Sequence, residues 1–403
     1  MKRLVPLFAS FASLLPCFAA AAPKAGNVIL VHPDGSSLAA WNAFRMATVG
    51  PDGLTNWDRL PGVALYRSHF SDGFSPTSHG GGTVHAWGVK VVADSYGTDG
   101  GAPITARSGA DAPLLVEALR AGLAVGIVQS GQIAEPGTGV FLASSPRRSD
   151  YAGIAATILA SGADVILAAG EKHLLPAGAS GHHGKGTRTD GRDLIAEARA
   201  AGYTVVFTKG QLASASANPA VIKLLGVFAE DATYHALTEE ESVRVGLPPY
   251  ESKAPTVAQM TEAALRVLAR SGKRFALVVE EEGTDDFANV QNASGVLEAF
   301  RRADAAIGVA REFVAARPDT LLLTAADSDA SGLQVIGLGR QTSPDAPAPV
   351  VPSATKLGNP IDGVSGQGTA AFLSGPDRSG RRFWFGITFS SPGDLVGGVV
   401  VRS

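Results

Sequence analysis

Val28-Ile29-Leu30-Val31-His32-Pro33-Asp34-Gly35 is a short apolar run that ends in an Asp-Gly turn. An unbroken run of branched residues, stopped by Pro and Gly, reads as a strand buried on both faces. Similar runs recur at residues 124–129, 164–169, 203–208, 274–280, 320–325 and 370–373. Amphipathic stretches lie between many of them. Val257, Met260, Ala264, Val267 and Leu268 share one helical face; Val296, Leu297, Phe300, Ile307, Ala310 and Val314 share another. Strands alternating with helices predict an α/β fold, a three-layer αβα sandwich around a large, mostly parallel sheet. No internal repeat is visible. Residues 177–190 and 341–352 read as surface loops, and neither divides the chain, so 23–403 is expected to be one large domain.

The amino terminus is of another kind. Met1-Lys2-Arg3 precedes an apolar run over residues 4–18 and then four alanines, Ala19 to Ala22. A basic start, a greasy core and small residues make a secretory signal over residues 1–22, cut after Ala22. The run is too short to span a bilayer comfortably. A lipoprotein would use Cys17, but Pro16 precedes it where a small residue is usual. The expected location is periplasmic or secreted. Cys17 is the only cysteine, so the mature chain has no disulfide or cysteine–zinc scaffold, and any metal is held by oxygen and imidazole. The net charge of −3, without a dense Lys/Arg patch, argues against a nucleic-acid partner.

Acidic residues cluster just beyond the predicted strands: Asp34 after the first, Glu280 and Asp285 at and after 274–280, Asp327 after 320–325. Open parallel sheets bind ligands outside the carboxyl ends of their strands. Any one of these acids reads more simply as a helix cap or a solvated loop residue; their repetition suggests a shared site. Ser78 opens the small-residue run Ser78-His79-Gly80-Gly81-Gly82-Thr83. A serine at a helix amino terminus sits where free N–H groups favour phosphate. The plainer reading is a glycine-rich surface loop.

The order of these motifs resembles the alkaline phosphatase family. Asp34-Gly35 matches its Asp-Gly after the first strand. Counting back from Gly88-Val89-Lys90 places its nucleophile at Ser78, with Thr77 where the family has Asp. Residues 144–151 resemble the segment of its phosphate-binding arginine, Arg148 matching best and Arg147 being the neighbouring alternative. Residues 163–170, 189–194, 254–261, 279–280 and 372–376 also look familial, so the likeness spans nearly the whole mature chain. It implies a phosphomonoesterase acting through a phosphoserine intermediate at Ser78. Arg148 would grip phosphate, and Asp34, Glu280, Asp285 and Asp327 would hold divalent metal. The implied ligands are a phosphate ester and inorganic phosphate; a homodimer is left open.

The departures have a chemical direction. The family's metal-binding Glu is followed by Asp five residues later and His nine later; here these are Glu280, Asp285 and Asn289. Its Thr-Ala-Asp-His becomes Thr324-Ala325-Ala326-Asp327, and its carboxyl-terminal His-Thr-Gly becomes Val364-Ser365-Gly366. Its magnesium-site threonine aligns with Gly137, leaving Glu135 and Thr138 as substitutes. Zinc favours imidazole. The remaining donors, with Asp329 and Asn289 as further candidates, are oxygens that suit magnesium, calcium or manganese. Zinc stays open on a depleted set. His32 and His79 are candidate bases for Ser78. His85 lies about 10.5 Å of helical rise beyond it, too far for contact. His173, His182 and His183 either touch substrate or face solvent. Two other functions remain open: a non-catalytic phosphate binder, or a hydrolase of phosphodiesters or sulfate esters.

Overall fold

The computed structural model describes residues 26–74, 76–338, 354–356, 358–363 and 371–403. The expected signal segment, the 341–352 loop and Val364-Ser365-Gly366 lie outside these. Among the described residues, no helix is long and apolar enough to cross a membrane.

The opening motif forms β1 (Asn27–Pro33), near the centre of a nine-stranded sheet. The other strands are β2 (Val63–Leu65), β3 (Ala124–Gln132), β4 (Val165–Ala169), β5 (Thr204–Val206), β6 (Leu224–Val227), β7 (Phe275–Glu281), β8 (Thr320–Thr324) and β13 (Val400–Arg402). Their order is β2-β13-β8-β1-β7-β3-β4-β6-β5. From β8 to β5 all neighbours are parallel; β13 and β2 close one edge in antiparallel pairing. β3, β4 and β7 are buried along their whole length, which is why they read as continuous apolar runs.

Helices cover both faces. On one, Val257–Arg270 and Ala293–Ala316 join Leu38–Thr48 around Trp41, Phe44, Trp57 and Phe300. Trp41 and Trp57 stack with ring centroids 4.7 Å apart. On the other, Leu114–Arg120 and Tyr151–Ala160 bury Leu115, Ile154 and Ile158. Each fully buried side chain of this kind contributes about 1.5–3 kcal/mol. The three-layer α/β expectation therefore holds.

Two strand readings change. Of residues 370–373, Phe372–Leu373 is a strand, β11, but it lies in a second, antiparallel sheet. There β12 (Trp384–Thr388) pairs with β9 (Gln334–Gly337), β10 (Ile361–Asp362) and β11. A parallel pairing usually needs a crossover of about a dozen residues or more, and the shorter connection from β11 to β12 returns antiparallel. β6 gives no clear signal in the sequence because it is four residues long and contains Gly226. That glycine lets the Phe228 ring and Leu167 approach the backbone.

The register sets up the site. His32 on β1 stands beside Glu280 on β7, and Gln129 on β3 beside Glu280 again. The carboxyl ends of the central strands thus deliver their polar residues to one place.

Candidate active site

Ser78 is buried and is the first residue of the Ser78–Trp87 helix. Thr77 caps that helix: its Oγ1 accepts from the Gly80 N–H at 3.3 Å and donates to the Ala93 carbonyl at 2.6 Å. The unpaired N–H groups of the first turn, with the helix dipole, favour an anion beside Ser78. Three helical glycines cost about 1 kcal/mol each relative to alanine. Close packing explains them. A β-carbon at Gly80 would lie 2.8 Å from the Phe70 ring, and one at Gly82 would lie 2.7 Å from the Pro136 carbonyl. One at Gly81 would overlap the Asp327 side chain. The glycine run is a helix pressed on three sides, not a surface loop, and Gly81 admits Asp327 to the helix that carries Ser78. Gly81→Ala is expected to destabilise the protein by about 1–3 kcal/mol through overpacking. It should also reduce stabilisation by added divalent metal. Melting curves with and without metal measure both, and a wild-type pair of curves would contradict the packing argument.

Asp34, Glu280 and Asp327 converge on His32, and all four are buried. His32 Nε2 lies 3.3 Å from Asp34 Oδ1 and 3.9 Å from Asp327 Oδ1; Nδ1 lies 3.4 Å from Glu280 Oε1. Burial disfavours the imidazolium, but Asp34 and Glu280 outweigh it and hold the pKa of His32 well above its usual value. A β-carbon at Gly137 would overlap both Glu280 Oε1 and His32 Nδ1, so glycine there makes room for this pair. The His85 ring stands edge-on to His32 at 5.3 Å, and burial pushes its pKa down to about 3. It is a neutral wall behind His32.

Asp285 adjoins this group from the short helix Gly283–Asn289. Asp34, Glu282 and Asp285 each present an oxygen within 4.8 Å of the others, and so do the ligand atoms of His32, Asp34 and Glu280. Asp34 belongs to both triads. Asp34 Oδ2, Glu280 Oε1, Glu282 Oε2, Asp285 Oδ1 and both oxygens of Asp327 have no hydrogen-bond partner among the described residues. Burial, then the charge of Asp394, pushes Asp285 well above the usual carboxylate range; burial, then Asp34, does so for Asp327. Crowded, orphaned carboxylates are costly without a compensating cation. The residues therefore fit divalent metal.

Arg148 reaches the site and Arg147 is exposed. The Arg148 guanidinium donates to Glu135 Oε2 at 3.5 Å and meets His79 Nδ1 at 3.3 Å. Burial pushes Glu135 up to about 7 against the pull of Arg148. His79 Nε2 lies 3.1 Å from Asp94. His32 and His79 thus turn both ring nitrogens to other side chains and not to Ser78. Glu135 is placed to brace the arginine, and the Thr138 hydroxyl accepts from Gln129 at 3.4 Å. Glu135 lies outside the two triads of candidate metal ligands.

The family model for alkaline phosphatase matches residues 25–343. The chain belongs to the alkaline phosphatase family. It is 26% identical over 364 residues to alkaline phosphatase of Escherichia coli, covering 81% of this chain and 73% of that one. It is 29% identical over 342 residues to streptomycin-6-phosphate phosphatase of Streptomyces griseus, covering 75% and 73%. The fold superposes on alkaline phosphatase from the Antarctic bacterium TAB5 with a TM-score of 0.68 at 19% identity, covering 94% and 91% of the two chains. A variant of the TAB5 enzyme has been solved with magnesium bound. By family this alkaline phosphatase relative is a phosphoric monoester hydrolase.

Within that family frame, the structure adds to the reading of the sequence at several positions. Asn289 offers no oxygen to a metal: its amide nitrogen donates to Asp285 Oδ2 at 2.7 Å and to Asp394 Oδ1 at 3.3 Å. Its oxygen accepts from Ser331 Oγ at 2.9 Å. Glu282 is missed by sequence reasoning, although a strand's alternation puts it in step with Glu280, and it lies three residues before Asp285. Asp394 carries no sequence signal at all, being 105 residues from its partner Asn289. The 177–190 loop is anchored to the protein: Glu171 accepts from the N–H groups of His182, His183 and Gly184 at 2.8, 2.5 and 3.1 Å. The His182 ring stacks on Phe207.

Proposed function

We propose that this chain is an exported phosphomonoesterase that works through a phosphoserine at Ser78. The observation that carries the proposal is the position of Ser78. It stands at the amino end of a helix that Gly81 presses against Asp327, and the Asp327 carboxylate in turn interacts with that of Asp34. Ser78 Oγ gives up its proton to solvent and attacks phosphorus, and the bond from phosphorus to the ester oxygen breaks. The alcohol leaves with a proton drawn from solvent. Water then attacks the phosphoserine, releasing inorganic phosphate and restoring the hydroxyl. Arg148 donates a fork of N–H groups to the phosphate oxygens, and Glu135 fixes its direction. Asp34, Glu280, Asp285 and Asp327 would hold divalent metal, which when bound supplies positive charge for the serine oxygen and the leaving oxygen. The first 22 residues would direct export.

The covalent step can be read directly. Protein mixed with an aryl phosphate, quenched in acid and digested, should carry phosphate on the peptide containing Ser78. Turnover with phosphate on no serine, or on another residue, would remove Ser78 from the mechanism. Faster turnover of an aryl sulfate or a phosphodiester would reassign the substrate class. Phosphate binding without turnover in any divalent metal would make this a binding protein.

A further inference from the structure

The loop bearing Asp394 brings a carboxylate into the site from a stretch that no motif marks. Leu395 and Asp329 exchange both backbone hydrogen bonds at 3.0 Å. Ser331, at φ 55°, turns its carbonyl to the N–H groups of Ser390 and Ser391 at 2.8 and 3.2 Å. A left-handed serine is a strained choice. Here it ties the carboxyl-terminal loop to the segment after β8 and, through its hydroxyl, orients Asn289. Asn289 in turn occupies one oxygen of Asp285 and one of Asp394 with its amide nitrogen. The other oxygen of Asp285, Oδ1, is buried without a partner, as are Glu282 Oε2 and Asp34 Oδ2. Gly35, at φ 60°, leaves room for it, because a β-carbon there would lie 2.5 Å from Asp285 Oδ1.

We propose that Asp34, Glu282 and Asp285, completed by Asp394, form a divalent-cation position built of carboxylate oxygens alone, which takes a hard ion such as Mg2+ or Mn2+. It rests on the reading that this site holds divalent metal. Glu282 and Asp285 are three residues apart at the start of one helix, so they face the same side. Asp34 comes from the end of β1 and Asp394 from the far end of the chain. Four carboxylates offer no nitrogen or sulfur, the donor chemistry of hard cations. Asn289 is a positioning residue: it holds Asp285 Oδ2 and Asp394 Oδ1 together and leaves Asp285 Oδ1 for the ion.

The test uses the full protein, stripped by chelator and titrated with Mn2+, with free Mn2+ followed by electron paramagnetic resonance. Glu282→Gln and Asp394→Asn should each weaken Mn2+ binding by about tenfold or more. Glu281→Gln is the comparison, since Glu281 instead accepts from Ser130 at 2.8 Å and Tyr250 at 2.9 Å. It should bind Mn2+ as the wild type does. Glu282→Gln removes a buried, uncompensated charge, so its melting temperature in chelator should equal or exceed that of the wild type. Wild-type Mn2+ affinity in Glu282→Gln or Asp394→Asn would overturn the proposal, as would an equal loss in Glu281→Gln. Lower stability of Glu282→Gln in chelator would also overturn it. Because the readout is metal binding without substrate, it stands or falls separately from the phosphoserine at Ser78.

Discussion

Ser78→Ala should lower kcat/KM for an aryl phosphate by about ten-thousand-fold or more, the scale set by removal of a covalent nucleophile. The substitution is clean. Thr77, not Ser78, caps the helix, so its end stays closed. The Oγ of Ser78 makes none of the bonds that hold the glycine run to Ala93, Phe70 and Asp327. Alanine also suits a helix better than serine. Melting temperature should therefore change little while turnover collapses, separating chemistry from folding. Retention of activity within about tenfold of wild type would move the nucleophile elsewhere. His32 and His79 are not expected to rescue the variant, because both rings are engaged with other groups.

Removing divalent metal should cost about a thousand-fold in activity, the several kcal/mol that a cation supplies at developing charge. It should also change how stability depends on pH. Burial and neighbouring acids raise Asp285, Asp327 and Glu282 well above the usual range, Asp394 to about 6 and Glu135 to about 7. A carboxyl with a raised folded pKa binds its proton more tightly folded than unfolded. Stability is then lost as pH rises from the unfolded value, about 4, through the folded one. His32, also raised, acts in the same direction: its contribution is present below the ordinary histidine value and is lost as pH rises through the folded pKa. The chelated protein should thus melt lower at pH 8 than at pH 5, and Mn2+ should narrow the gap by neutralising the ionised cluster. A melting temperature in chelator that rises over this interval would show that the carboxylates are already compensated.

Much of the fold could be read because buried parallel strands must be apolar throughout. β1, β3, β4, β5, β7 and β8 announce themselves as runs bounded by turn residues. The Val257–Arg270 helix shows its face through Val257, Met260 and Val267. The strands that escaped were β2, β6, β9, β10, β12 and β13; all but the five-residue β12 have four residues or fewer, which leaves little periodic signal. β11 was visible as an apolar run, but its partner was not. β12, which pairs with it antiparallel, lies in a different sheet from the parallel strands, and an apolar run does not say which sheet it joins.

The site divides along similar lines. Asp34, Glu280, Asp285 and Asp327 could be picked out as acids at or just beyond strand ends, and Ser78 as the start of a small-residue run; the nucleophile role of Ser78 and the choice of the Arg147-Arg148 segment came from the family resemblance. Comparison with the family pattern also showed that imidazoles had been lost, as at Asn289 and Asp327. Other matters depended on contacts between distant segments. Among these are the glycine at 81 that admits Asp327 and the glycine at 137 that admits His32. The choice of Arg148 over Arg147, and the arrival of Asp394 beside Asp285, are of the same kind. Sequence periodicity determines which residues leave the ends of the central strands together, because a strand's direction and alternation are local. Which side chains then share a few cubic ångströms, and which of their oxygens go without a partner, is decided only when the chain is packed.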